Sequence, residues 1–140
     1  MRYLIMVRAT GFSEAGVAAS GDYEAAKKAY RQALEQAGVL LVTEELRPSS
    51  AGIRVTYPPD GGAPEACPGP FSIDQGLLAG FTLIDVDTEE EALNWALRLP
   101  VPADRGSFGL ELRRLEEKTR RFQDPSQSAM ELELKKYLLI

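Results

Sequence analysis

The segment from Leu78 to Pro100 constrains the fold more tightly than any other part of the chain. Leu78 to Val86 reads as a strand whose alternation puts Phe81 and Leu83 on one face and Thr82, Ile84 and Val86 on the other. Apolar side chains on both sides mean a strand that is covered twice. Thr88 and Glu91 then stand at capping-box spacing, and Ala92, Trp95, Ala96 and Leu99 recur at helical intervals until Pro100 ends the pattern. A buried strand that feeds straight into an amphipathic helix needs neighbouring strands on its edges and a helix layer on one face.

The remaining elements supply those neighbours. Tyr3 to Val7 is a short β-prone run, followed by a loop through Gly11, Gly16 and Gly21. Ala26, Ala29, Tyr30, Ala33, Leu34 and Ala37 then fall at helical spacing, with Asp22 near the start and Gly38 placed to end the helix in a left-handed conformation. Val39 to Leu46 and Ile53 to Tyr57 read as two strands joined as a hairpin through Pro48-Ser49-Ser50-Ala51-Gly52. From Pro58 to Pro70, eight of thirteen residues are proline or glycine, which predicts a loop without regular structure, with a lid as one reading of it. Phe108, Leu110 and Leu112 alternate with Gly109, Glu111 and Arg113 as a final strand.

The order strand, helix, three strands, helix, strand contains a βαββαβ unit. It predicts an α+β, ferredoxin-like sandwich with an added strand and both helices on one face of the sheet. If the other face is apolar it needs a partner, and a second copy packed sheet against sheet supplies one, so a homodimer is expected. A charged connector with Lys118, Arg120 and Arg121 follows, and Ser128 and Glu131 repeat the capping-box spacing. Met130, Leu134, Tyr137 and Leu138 form one apolar stripe there. Residues 1–117 are therefore expected to form one α+β domain, and residues 118–140 a connector with an amphipathic helix. A helix this short is marginal alone, so it must dock on its own body or on a neighbouring subunit.

The absence of histidine narrows the chemistry more than any residue that is present. Zinc sites usually draw on imidazole or several thiolates, and this chain has no His and only Cys67, so no metal and no cofactor are expected. Ser-His-Asp and Cys-His nucleophile systems lack their base. Acid–base work would fall to Asp, Glu, Tyr, Lys or the lone thiol. A net charge of −5 argues against nucleic acid as a partner. No stretch approaches a membrane span or the hydrophobic core of a signal peptide, and the single cysteine excludes an internal disulfide, so a soluble, cytoplasmic protein is expected.

Three stretches carry a family likeness. The first is Pro68-Gly69-Pro70-Phe71-Ser72-Ile73-Asp74-Gln75-Gly76-Leu77-Leu78-Ala79-Gly80-Phe81, the second is Glu90-Glu91-Ala92-Leu93-Asn94-Trp95-Ala96, and the third is the opening Met1-Arg2-Tyr3-Leu4. Together they resemble the YCII-related or DGPF family, whose usual motif reads roughly Asp-Gly-Pro-Phe-Ala-Glu-Thr-Lys-Glu-x-Leu-x-Gly-Phe. The likeness runs from Met1 to about Leu115. It implies a dimeric α+β barrel with a cleft near the motif, and by analogy a regulatory link to alternative sigma factors. An acid–base His-Asp pair suggested for some relatives cannot operate here. The motif's charges are also replaced: its first Asp is Pro68, its Glu is Ile73, its Lys is Gln75 and its second Glu is Gly76. Gly69, Pro70, Phe71, Leu78, Gly80 and Phe81, which set backbone shape or packing, remain.

Phe71, Asp74, Phe81, Arg54 and Arg8 are thus the candidate ligand-binding residues of a small-molecule cleft. Arg8 and Arg54 are suited to an anionic group, although exposed edge positions explain them as well. Asp74 is either a displaced general base or a solvated turn acid. Asp87, two residues from Asp85, is either a second catalytic carboxylate or part of the acidic start of the following helix. Trp95 lies on the apolar helix stripe and reads as core, and Cys67 has no visible neighbour that would activate it. The leading expectation is small-molecule binding. The alternatives are a carboxylate-dependent isomerase or lyase and an interaction module.

Overall fold

In the computed structural model, which describes residues 1–103 and 106–117, nine main elements follow one another. They are β1 (Arg2–Arg8), α1 (Gly11–Glu14), α2 (Gly21–Gln36), β2 (Leu40–Glu45), β3 (Ile53–Thr56), β4 (Glu65–Pro68), β5 (Leu78–Asp85), α3 (Glu89–Leu97) and β6 (Leu110–Arg114). Single 3₁₀ turns cover Ser49–Ala51 and Ile73–Gln75. The helix expected within 118–140, and the basic residues Lys118, Arg120 and Arg121, lie outside the described residues.

The main sheet is antiparallel throughout, in the order β2-β5-β1-β6. That is the ferredoxin-like arrangement, with β5 an interior strand between β2 and β1, covered by the helices on its Thr82 and Ile84 face. Tyr3 and Ile5 of β1 and Ile84 of β5 pack with Leu34 of α2 and with Ala92, Trp95 and Ala96 of α3, so both helices cover one face. Ile5, Leu34 and Ile84 are fully buried. Leu4, Met6, Phe81, Leu83 and Val42 stand on the opposite face: Leu4 pairs with Leu83, Met6 with Phe81, and Val42 with Leu83.

The helix ends follow local rules. Ser20 caps α2 by accepting from the Tyr23 N–H at 3.2 Å, and Asp22 and Glu24 sit in its positive first turn. At the other end Gly38 adopts φ +72°, the Gly38 N–H donates to the Glu35 carbonyl, and the Val39 N–H donates to the Leu34 carbonyl. This paired closure satisfies orphan carbonyls of the last turn and turns the chain into β2. Thr88 caps α3 by accepting from the Glu91 N–H at 3.1 Å, while the Glu91 carboxylate reaches back one residue beyond the cap to the Asp87 N–H at 3.2 Å.

Three sequence expectations change. The strands at Val39–Leu46 and Ile53–Tyr57 do not form a hairpin with each other, because β2 pairs with β5 and β3 pairs with β4. The proline- and glycine-rich stretch is not wholly irregular, since its last residues form β4, in register with β3 from Ile53↔Pro68 to Thr56↔Glu65. Proline is tolerated there because this two-stranded ribbon has no third strand to demand the missing N–H. The added strand therefore lies outside the main sheet. The glycine-marked loop after β1 also contains a short helix, α1, where Thr10 and Ser13 cap each other reciprocally.

Candidate functional site

The degenerate motif is a tightly seated backbone turn. A Cβ on Gly69 would lie 1.8 Å from the Ser49 carbonyl oxygen, so only glycine fits there, and the Gly69 N–H donates to the Gly52 carbonyl at 2.9 Å. The next peptide, Gly69–Pro70, is cis. The Phe71 N–H donates to Ser49 Oγ at 2.9 Å, and the Ser49 hydroxyl donates in turn to the Glu14 carboxylate. The Ser49 N–H also donates to Glu14 Oε1 at 3.1 Å. Glu14 of α1 thus holds both the 3₁₀ turn at Ser49 and the motif. Gly80 repeats the close approach further on, for a Cβ there would meet the Glu44 carbonyl oxygen of β2 at 2.9 Å.

The five candidate binding residues separate into distinct places. The Arg54 guanidinium lies 4.2 Å from the Phe71 ring centroid and donates to Gln75 Oε1, so Arg54 and Phe71 form one stacked pair at the ribbon. Arg8 and Asp74 line a cavity of about 420 Å³ with Ile73, Leu77, Ser107 and Phe108. Arg8 and Phe81 also border a larger cavity of about 780 Å³. Neither Arg54 nor Phe71 lines either cavity. Asp87 sits past the far end of β5, separated from Asp74 by eight strand residues, or about 25 Å of extended chain. There its backbone N–H helps start α3. Asp74 and Asp87 therefore cannot share one site, and Trp95 is core, 9% exposed.

Apart from Arg8 and Phe81, none of the residues that line the larger cavity was a binding candidate of the sequence pattern. It opens between α1, the first half of α2 and the β2–β5 edge of the sheet, with Leu34, Leu99, Pro100 and Phe108 among its apolar walls. Tyr23, Lys27, Tyr30 and Leu34 recur along α2 at steps of four, three and four, and all of them line it. On the facing strands Thr43 and Thr82 share a hydroxyl–hydroxyl bond of 2.8 Å. Lys27 Nζ lies 3.1 Å from Glu24, pairs more closely with Glu45 at the end of β2, and stands 5.0 Å from the Tyr23 ring centroid.

Electrostatics keep these groups protonated. Partial burial opposes the Lys27 charge, but hydrogen bonds to Glu45 and Glu24 outweigh it and hold its pKa above the ordinary lysine value. Burial raises the Tyr23 pKa, as do the Glu45 and Glu24 carboxylates, against the lowering effect of Lys27. Tyr30 donates its hydroxyl to the Trp95 carbonyl at 2.7 Å, and burial pushes its pKa up to about 12 despite the lowering effect of Arg98. The site therefore presents proton donors: the Lys27 ammonium and the Tyr23 phenol, the Tyr30 hydroxyl being committed to Trp95.

The signal for this site was the 23-27-30-34 spacing itself. It is obscured because the alanines at 26, 29, 33 and 37 suggest an apolar stripe displaced around the helix. Ala26, Ala29 and Ala37 are exposed, whereas Lys27 is partly buried.

Residues 1–115 match the YCII-related domain, and the chain belongs to that family. A search of curated proteins found no match. Among solved structures, the chain is similar to 5-chloro-2-hydroxyhydroquinone dehydrochlorinase (TftG) from Burkholderia phenoliruptrix AC1100, solved with 2,5-dihydroxybenzoquinone. The identity is 17%, the TM-score is 0.41, and the match covers 84% of this chain and 96% of that one. Among the described residues, no helix is long and apolar enough to cross a membrane.

Proposed function

We propose that this protein binds a small organic molecule in the cavity between α2 and the β2–β5 edge, and that it does so as a homodimer. The cavity carries the ligand reading. Its volume of about 780 Å³ lies within the range of roughly 300–1,000 Å³ usual for small-molecule sites. Apolar walls surround a few converging polar groups, the composition such sites use to hold a molecule and orient it. The dimer reading rests on the sheet face opposite the helices, where Leu4, Met6, Phe81 and Leu83 are only partly buried and Val42 is 39% exposed. A second copy packed on that face would bury them, at a gain of roughly 25 cal/mol per Å².

Thermal stability against a panel of small organic carbonyl compounds, acids and amines tests the ligand reading, because a molecule that binds only the native state raises the apparent Tm. An Ala19→Trp substitution fills part of the cavity wall. It should leave the free protein folded and suppress any shift. A panel without a hit, or an Ala19→Trp variant that responds like the wild type, rejects this cavity. Sedimentation at micromolar concentration tests the dimer separately, and a monomer there refutes it.

A further inference from the structure

We infer that the ligand of the α2 cavity is a neutral carbonyl compound, whose oxygen is received by the Tyr23 hydroxyl and the one uncommitted N–H of Lys27. The inference rests on the cavity reading above and adds the chemistry of the bound group. A lysine ammonium has three donors and no acceptor. Glu24 and Glu45 occupy two of them, and Lys27 has no further hydrogen-bond partner among the described residues, its remaining contact being the Tyr23 ring, 5.0 Å from Nζ. The Tyr23 hydroxyl likewise makes no hydrogen bond to a described residue, although its ring is partly buried and lines the cavity.

Two donors four residues apart on one helix thus border the same space, with Lys27 Nζ 5.0 Å from the Tyr23 ring centroid. A carbonyl oxygen has two lone pairs and can accept from both at once. Tyr23 stays in its donor form because burial and the two nearby carboxylates favour the neutral phenol.

The sign of the surrounding charge selects among oxygen acceptors. A ligand carboxylate could pair with Lys27, but at Nζ it would enter beside Glu24 and Glu45; of the other charges that line the cavity, Arg8 pairs with Glu111 and Arg31 with Glu35, and Lys28 is offset by Glu44. An amine would have to compete with Lys27 for those same carboxylates, and as an ammonium it has no lone pair to accept from the Tyr23 hydroxyl. A neutral carbonyl meets neither obstacle. The rest of the molecule would lie against Leu34, Leu99, Pro100 and Phe108, so an apolar or aromatic body fits.

The test uses four probes of similar size: acetophenone, ethylbenzene, benzoate and phenethylamine. Their binding to the full-length protein is measured by ligand-observed NMR titration. Acetophenone should bind about tenfold more tightly than ethylbenzene, and more tightly than benzoate or phenethylamine. Tyr23→Phe should remove most of that advantage while leaving Tm unchanged, since the hydroxyl has no hydrogen-bond partner among the described residues to lose. Lys27→Met should also reduce it.

If ethylbenzene or benzoate binds as well as acetophenone and Ala19→Trp blocks it, the cavity reading stands and the carbonyl assignment falls. An acetophenone affinity unaltered by Tyr23→Phe also overturns the assignment. If none of the four binds, both fail.

Discussion

The two halves of α2 face the same sheet and differ in what they do there. In the C-terminal half, Leu34 is 1% exposed and packs in the core with Tyr3, Ile5 and Ile84. Towards its N-terminus the same helical stripe continues as Tyr30 near mid-helix, then Lys27 and Tyr23, and the space between helix and strands opens into the larger cavity. A helix face that closes a core needs apolar side chains throughout. Placing an ammonium and two phenols on it forgoes burial, and among the described residues their hydrogen-bond partners are Glu24, Glu45 and the Trp95 carbonyl. Departures from an otherwise consistent pattern concentrate at functional sites, so the change of character along this helix locates the site.

That contrast is sharpest in mutational stability. Leu34→Ala should cost about 2–5 kcal/mol in a denaturant melt, because it removes a fully buried side chain from the packed half. Gly69→Ala should cost about 1–3 kcal/mol, since its methyl group can be accommodated only by moving the Ser49 backbone. Glu14→Gln weakens the charge-assisted acceptor shared by the Ser49 N–H and hydroxyl, and should cost about 1 kcal/mol. At the cavity end, Lys27→Met should change stability by less than about 1 kcal/mol, because Glu45 is 72% exposed and ion pairs of this kind contribute little. A loss at Lys27 as large as that at Leu34 would erase the distinction between the two halves.

The boundary residue Tyr30 gives a pH test. Its pKa is raised from the ordinary value of 10.0 to about 12, so the native state holds a proton that the unfolded chain releases. Its contribution to stability is fully present below pH 10 and is lost as pH rises to about 12. Tyr30→Phe should flatten the alkaline slope of the stability curve in that window. An unchanged slope would show that Tyr30 ionises normally in the folded protein.

Much of the sheet-and-helix unit was legible because its residues obey local rules. The alternation of Leu78–Val86, the Thr88 cap, the 92-95-96-99 stripe and Gly38 each specify one conformation, and tertiary packing reinforces them. The β3–β4 ribbon was not legible. Its pairing is decided by which strands leave the main sheet, and the prolines at 58, 59, 64 and 68 hide β4 behind a loop signature. The motif was legible as backbone shape, as the close contacts at Gly69 and Gly80 demonstrate. The cavity was not, because Lys27 sits among exposed alanines and lysine on an amphipathic helix ordinarily points to solvent. Glu14 was equally hidden, since its partner Ser49 is 35 positions away in sequence and Phe71, which donates to Ser49, lies 22 beyond that.

The most direct test of the account is an amide-resolved NMR map of the 15.3 kDa chain titrated with acetophenone. Perturbations confined to Tyr23–Tyr30, Thr43–Glu45 and Ala79–Thr82, and reduced in Tyr23→Phe, are the expected result. Perturbations centred instead on Ile73–Leu77 and Ser107–Gly109, or an unchanged spectrum at millimolar probe, would contradict the assignment of the binding site to the first half of α2.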